Sequence, residues 1–85
     1  MTLDDRITEL IAIGSSVTAN CQPCLQYHVD KALEHGGSDS EIAQAIEVAK
    51  MVRKGAAAKM DNFASRMNKT VSADAGAPGE GCGCR

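Results

Sequence analysis

Tryptophan is absent from this 85-residue chain, and tyrosine and phenylalanine occur once each, as Tyr27 and Phe63. A core must therefore be assembled from Ala, Ile, Leu, Val and Met, and such small side chains suit close helix contacts better than the interior of a β-sandwich. Basic residues are in slight deficit, nine Lys+Arg against eleven Asp+Glu, giving a net charge of −2. There is no cationic excess to neutralise a phosphate backbone, so nucleic acid is not an expected partner. Long apolar runs are also missing. None approaches the roughly eighteen residues needed to cross a bilayer, and no membrane partner is expected. The N-terminus carries Asp4, Asp5 and Arg6 rather than a cationic stretch followed by an apolar block. The expectation is a soluble, cytoplasmic protein.

Cysteine is well represented. Its four copies fall into two close pairs, Cys21/Cys24 and Cys82/Cys84, which staple no long loop. Pairs of this kind, without a signal peptide, point to redox chemistry or metal rather than to a secreted disulfide scaffold.

The apolar positions Leu3, Ile7, Leu10, Ile11, Gly14 and Val17 recur at spacings of three and four, which predicts a first helix over residues 3–17 with one buried stripe. Asn20 is the expected N-cap of a second helix over residues 21–35, ended by Gly36 and Gly37. Pro23 fits its first turn, where an N–H would have no helical partner. Ser38 and Glu41 form a capping box that opens a third helix, with Ile42, Ala45, Ile46, Ala49, Val52, Ala56, Met60, Phe63 and Met67 on one face. Unless Gly55 splits it, that helix runs for roughly 42 Å, more than a seventy-residue subunit can cover, so a homo-oligomer is expected. The fold class is all-α, with a helical domain over residues 1–71. Residues 72–85, rich in glycine, read as a flexible tail. The cations Lys50, Arg53, Lys54, Lys59, Arg66 and Lys69 read as a solvated helix face that also complements the helix C-terminus.

The segment Cys21-Gln22-Pro23-Cys24-Leu25-Gln26-Tyr27-His28 carries the chemistry. Positions i, i+3 and i+7 share one face of a helix, so two thiols and an imidazole stack along one edge. A helix N-terminus offers free N–H groups and partial positive charge, both of which favour thiolate over thiol. The pair also admits a plainer role, as small buried hydrophobes or an inert disulfide beside an ordinary histidine. A soft-metal site is a further alternative, in which Cys21 and Cys24 join Cys82 and Cys84 around Zn²⁺, Cu⁺ or another thiophile. The 57 residues between Cys24 and Cys82 are unlike the compact spacing of a zinc knuckle.

Glu9-Leu10-Ile11-Ala12-Ile13-Gly14, then Ala19-Asn20-Cys21-Gln22-Pro23-Cys24 and His28, resemble the alkylhydroperoxidase D-like, or carboxymuconolactone decarboxylase, family. Glu9 stands twelve residues before Cys21, as in that family's pattern, and the stretch 41–49 resembles the helix after its active site. The resemblance spans about residues 3 to 65. It implies an all-helical subunit that assembles as trimers or hexamers, a redox cysteine pair and no cofactor. It further implies that Cys24 attacks a peroxide, that Cys21 resolves the product to a disulfide, and that Glu9 and His28 relay protons. The substrate would be a small peroxide or disulfide, and the reductant a thiol protein or a low-molecular-weight thiol. Some peroxidase members carry a histidine where Pro23 stands here. Disulfide exchange by the same pair survives that difference, so both activities are expected as one class; decarboxylation belongs to members lacking the cysteine pair. Cys82 and Cys84 lie outside the resemblance, on an arm about twelve residues long that reaches roughly 19 Å root-mean-square. They are expected to exchange with Cys21 and Cys24 as an accessory redox pair.

Overall fold

The computed structural model describes residues 2–70, which form three helices: α1 (Asp5–Thr18), α2 (Gln22–Glu34) and α3 (Asp39–Thr70). The chain is all-α, and no described residue lies in a strand. By compactness it divides into Met1–Lys54 and Gly55–Arg85, and the helices that position the site belong to the first of these. Cys82, Cys84 and the expected tail over residues 72–85 lie outside the described residues.

Each helix starts and stops for a local reason. The Asp4 side chain accepts from the Ile7 N–H at 2.8 Å, so α1 begins after Asp4 rather than at Leu3. At the other end, Asn20 adopts a left-handed conformation with φ 59°. Its N–H donates to Val17 O at 3.0 Å, and the Cys21 N–H donates to Ser16 O at 2.9 Å. This is a Schellman motif, which satisfies carbonyls that α1 would otherwise leave unpaired. Asn20 is therefore not the N-cap of α2, as its side-chain type suggested. It is the turn residue that closes α1, and Cys21 takes over the capping role one position later. Asparagine is among the few residues that enter the left-handed region readily, which accounts for the exchange of roles.

α2 ends the same way, with Gly36 at φ 89° and Gly37 N–H donating to Ala32 O at 2.7 Å. The approach at Gly37 is close enough that a Cβ there would lie 2.9 Å from Ala32 O. The capping box forms as expected: the Glu41 N–H donates to Ser38 Oγ at 3.0 Å, and the Ser38 N–H to Glu41 Oε1 at 3.1 Å. α3 then continues through Gly55 without interruption.

One side chain from each helix meets at the centre: Ile13 and Ala32 are fully buried and Ile42 nearly so. Leu10, Leu25, Val29, Ala45 and Ile46 pack around them. The core is small. Among the described residues five apolar residues are buried, whereas ten large apolar side chains stand exposed. An apolar groove of about 690 Å³ runs along α1 and the first half of α3, bordered by Ile7, Leu10, Ile11, Val48 and Val52. No helix among the described residues is long and apolar enough to cross a membrane.

Arg6 on α1 pairs with Glu41 on α3, Nη1 to Oε2 at 2.5 Å. The Ser38 backbone N–H, with the Arg6 guanidinium, holds the Glu41 carboxyl below the ordinary carboxylate value. A carboxyl whose folded value is lowered contributes stability above its unfolded pKa and loses it as pH falls through the folded one. Thermal melting followed by circular dichroism should therefore show a midpoint that drops on acidification below about pH 4.5. In Glu41→Gln the drop should be shallower.

Candidate active site

Cys21 occupies the N-cap of α2 with extended backbone angles, φ −104° and ψ 99°. That non-helical conformation removes the mismatch expected for two cysteines three apart inside a helix, where opposed Cβ atoms stand too far apart for a disulfide. The Cα atoms of Cys21 and Cys24 lie 5.3 Å apart, and the sulfurs are joined in a disulfide. Cys21 Sγ also accepts from the Cys24 N–H at 3.3 Å, so the sulfur itself satisfies one of the donors at the start of α2. Pro23 lies in the first turn, as expected. Cys24 is exposed and Cys21 half-buried.

One turn beyond Cys24, His28 turns its Nδ1 toward Glu9 Oε1 on α1, at 2.6 Å. The Glu9 side chain is 17% exposed and that of His28 28%, so the contact is largely shielded from water. A carboxylate can only accept, so Nδ1 carries a proton here, and in the neutral tautomer Nε2 is the ring nitrogen that carries none. The Tyr27 ring stands edge-on to His28, centroids 5.0 Å apart, and Lys31 lies over Tyr27 at 5.7 Å. Tyr27 thus packs beside the histidine rather than hydrogen-bonding to it. His35, expected at the end of α2, is its C-cap, with Nδ1 3.8 Å from Asp5 Oδ2.

The structure therefore brings together Cys21 with Cys24, and Glu9 with His28. Among the described residues no hydrogen bond joins His28 to either sulfur; the two pairs are related by one turn of α2. No group of three or more His, Cys, Asp or Glu residues among those described is disposed to hold a metal ion.

The carboxymuconolactone decarboxylase family model matches residues 2–64. The chain belongs to that family. Its members include decarboxylases and peroxidases, so enzyme activity is in keeping with membership. A relative from Paracoccus denitrificans, "Uncharacterized protein 4 in cox locus", is 38% identical over 55 residues, covering 65% of this chain and 50% of that protein. The chain thus spans about half the length of the curated relative it matches. No solved structure matches.

One family-domain residue beside the site did not emerge from the sequence. Arg53, grouped there with the solvated cations of the third helix, is half-buried and donates from Nη1 to both Val17 O and Asn20 Oδ1, each at 2.9 Å. It places a cation on the carbonyl end of α1 and fixes the side chain of the left-handed residue. Its signal was in the pattern: Arg53 follows the buried Ala49 by four residues and so continues the inward row begun by Ile42.

The Glu9 contact should fix the His28 tautomer. In nitrogen-detected NMR of neutral His28, the wild type is expected to carry its proton on Nδ1, and Glu9→Ala to shift the population toward Nε2–H. An unchanged tautomer would detach Glu9 from this role.

Proposed function

We propose that the protein is a thiol-dependent redox enzyme in which Cys21 and Cys24 cycle between dithiol and disulfide, reducing hydroperoxides or exchanging with other disulfides. The observation that carries this is the disulfide at the start of α2, one turn from a shielded Glu9–His28 pair. Family membership supports it, since the family includes peroxidases.

In the reduced enzyme the positive end of α2 favours the Cys24 thiolate. The thiolate attacks the outer oxygen of the hydroperoxide; an S–O bond forms, the O–O bond breaks, and the alcohol oxygen departs with the electron pair. The proton that the Cys24 thiol gave to His28 on forming the thiolate is returned to the departing alkoxide, while Glu9 holds the ring through Nδ1–H. Cys24 is left as a sulfenic acid. The Cys21 thiolate then attacks that sulfur, the S–S bond forms, and hydroxide leaves as water after protonation. Two external thiols, or one dithiol, supply the two electrons and two protons that restore the protein dithiol and leave as a disulfide. Pro23, standing where some peroxidases place a histidine, leaves proton delivery to the Glu9–His28 pair alone. Disulfide exchange uses the same sulfurs without an oxygen leaving group.

Self-association belongs to the same proposal. An exposed apolar groove along α1 and α3, with twice as many large apolar side chains exposed as apolar residues buried among the described residues, supports burial against a second copy.

Peptide mass mapping after mild hydroperoxide treatment of the reduced protein tests the chemistry. Cys21 and Cys24 are expected to lose two hydrogens together, and Cys21→Ser to stop at a dimedone-reactive sulfenic acid on Cys24. Glu9→Gln should slow the oxidation by about a hundredfold. If Cys24 in Cys21→Ser reacts no faster than Cys82 or Cys84, the proposal fails. For the assembly, sedimentation at micromolar concentration should give a multiple of 8.9 kDa, and Ile11→Asp should lower it; a wild-type monomer would refute self-association.

A further inference from the structure

A second, smaller cleft of about 210 Å³ opens beside the disulfide, lined by Ser16, Val17, Asn20, Cys21, Leu25 and Arg53 among others. Its position is distinct from the Glu9–His28 side, because neither of those residues borders it. Cys21 contributes to its wall and Cys24 does not. The cleft therefore borders one particular residue of the pair.

The cleft also presents a charge. Arg53 spends one nitrogen, Nη1, on Val17 O and Asn20 Oδ1. Among the described residues, its Nε and Nη2 N–H groups have no acceptor and no carboxylate pairs with it, although guanidinium groups match carboxylates in bidentate geometry. A volume near 210 Å³ is that of about seven waters, enough for a molecule of small mercapto-acid size.

We infer that this cleft binds the reductant, and that the reductant is a small thiol bearing a carboxylate, held by Arg53 with its sulfur against Cys21. This rests on the redox function proposed above. The bound thiolate attacks Cys21 Sγ; a mixed disulfide forms, the Cys21–Cys24 bond breaks, and Cys24 leaves with the electron pair as a thiolate at the positive end of α2. A second thiolate of the same kind attacks the ligand sulfur of the mixed disulfide, releases Cys21, and departs as the small-molecule disulfide. Two substrate thiols are oxidised, one protein disulfide is reduced, and the two protons given up balance those taken by Cys21 and Cys24. The route leaves Cys24 free for the next oxidant. It also separates the two half-reactions, with oxidant arriving on the His28 side and reductant on the Arg53 side.

The test uses the oxidised full-length protein and two thiols of similar size, 3-mercaptopropionate and 2-mercaptoethanol, compared per thiolate. Disulfide reduction is followed by quenched alkylation and mass mapping of Cys24. In the wild type the anionic thiol should react about fivefold faster, the upper scale measured for one exposed ion pair. That ratio should fall toward one in Arg53→Gln, be retained in good part in Arg53→Lys, and fall in the wild type in about 1 M salt, where charges are screened. The salt series needs no variant, so a folding defect in Arg53→Gln does not remove the test. A wild-type ratio of one, or an elevated ratio that persists in Arg53→Gln, overturns the anion site while leaving the redox function standing. Failure of both thiols to reduce Cys21–Cys24 overturns both.

Discussion

The junction at Asn20 and Cys21 is the constraint on which the site depends. One residue in the left-handed region turns the chain sharply enough that the N–H of the next, Cys21, closes α1 while its sulfur opens α2. Only Ala19, Asn20 and Cys21 separate the two helices, and Ala19 and Cys21 are themselves caps, which leaves little room to absorb a register error. The disulfide is consequently placed by helix termination geometry, and Arg53 secures that geometry from α3 by holding both the last turn of α1 and the Asn20 side chain. The cost of a non-glycine residue at positive φ is offset by these contacts, as is common where a strained backbone serves a site.

From that junction the rest of the site follows by helical spacing. His28 is one turn past Cys24, and α1 runs back beside α2 so that Glu9 meets the imidazole. The buried trio Ile13, Ala32 and Ile42 holds the three helices in that relation with little apolar volume. Burial of an aliphatic side chain is worth roughly 1.5–3 kcal/mol. With so few such residues, the Ser38–Glu41 capping box, the two Schellman turns and the Arg6–Glu41 pair add to the local definition.

Much of this was legible in the sequence, for identifiable reasons. Apolar spacing located the first and third helices, the second came from its end signals, and Ser38 with Glu41 and the Gly36–Gly37 pair marked ends whose chemistry is local. The cysteine pair and His28 followed from positions three and four apart. Asn20 misled because asparagine favours both an N-cap and a left-handed turn; the choice depends on whether the next N–H is claimed by the preceding helix, a contact five residues back at Ser16. The Glu9–His28 contact came from family resemblance rather than from pattern, since no local rule joins residues nineteen apart. Arg53 lay further still, 33 and 36 residues from its acceptors, and a row of cations on one helix conceals the member that turns inward.

The sulfur of Cys21 has two employments, one mechanical and one chemical. It accepts from the first turn of α2 and is also a bond partner that any redox cycle must give up and regain. Where one atom terminates a helix and changes oxidation state, the two equilibria are thermodynamically linked: whichever state caps the first turn better gains in helix stability what it confers on the electron balance. In the redox cycle proposed above, a substitution that alters capping in one oxidation state more than in the other would shift the reduction potential by the same free energy.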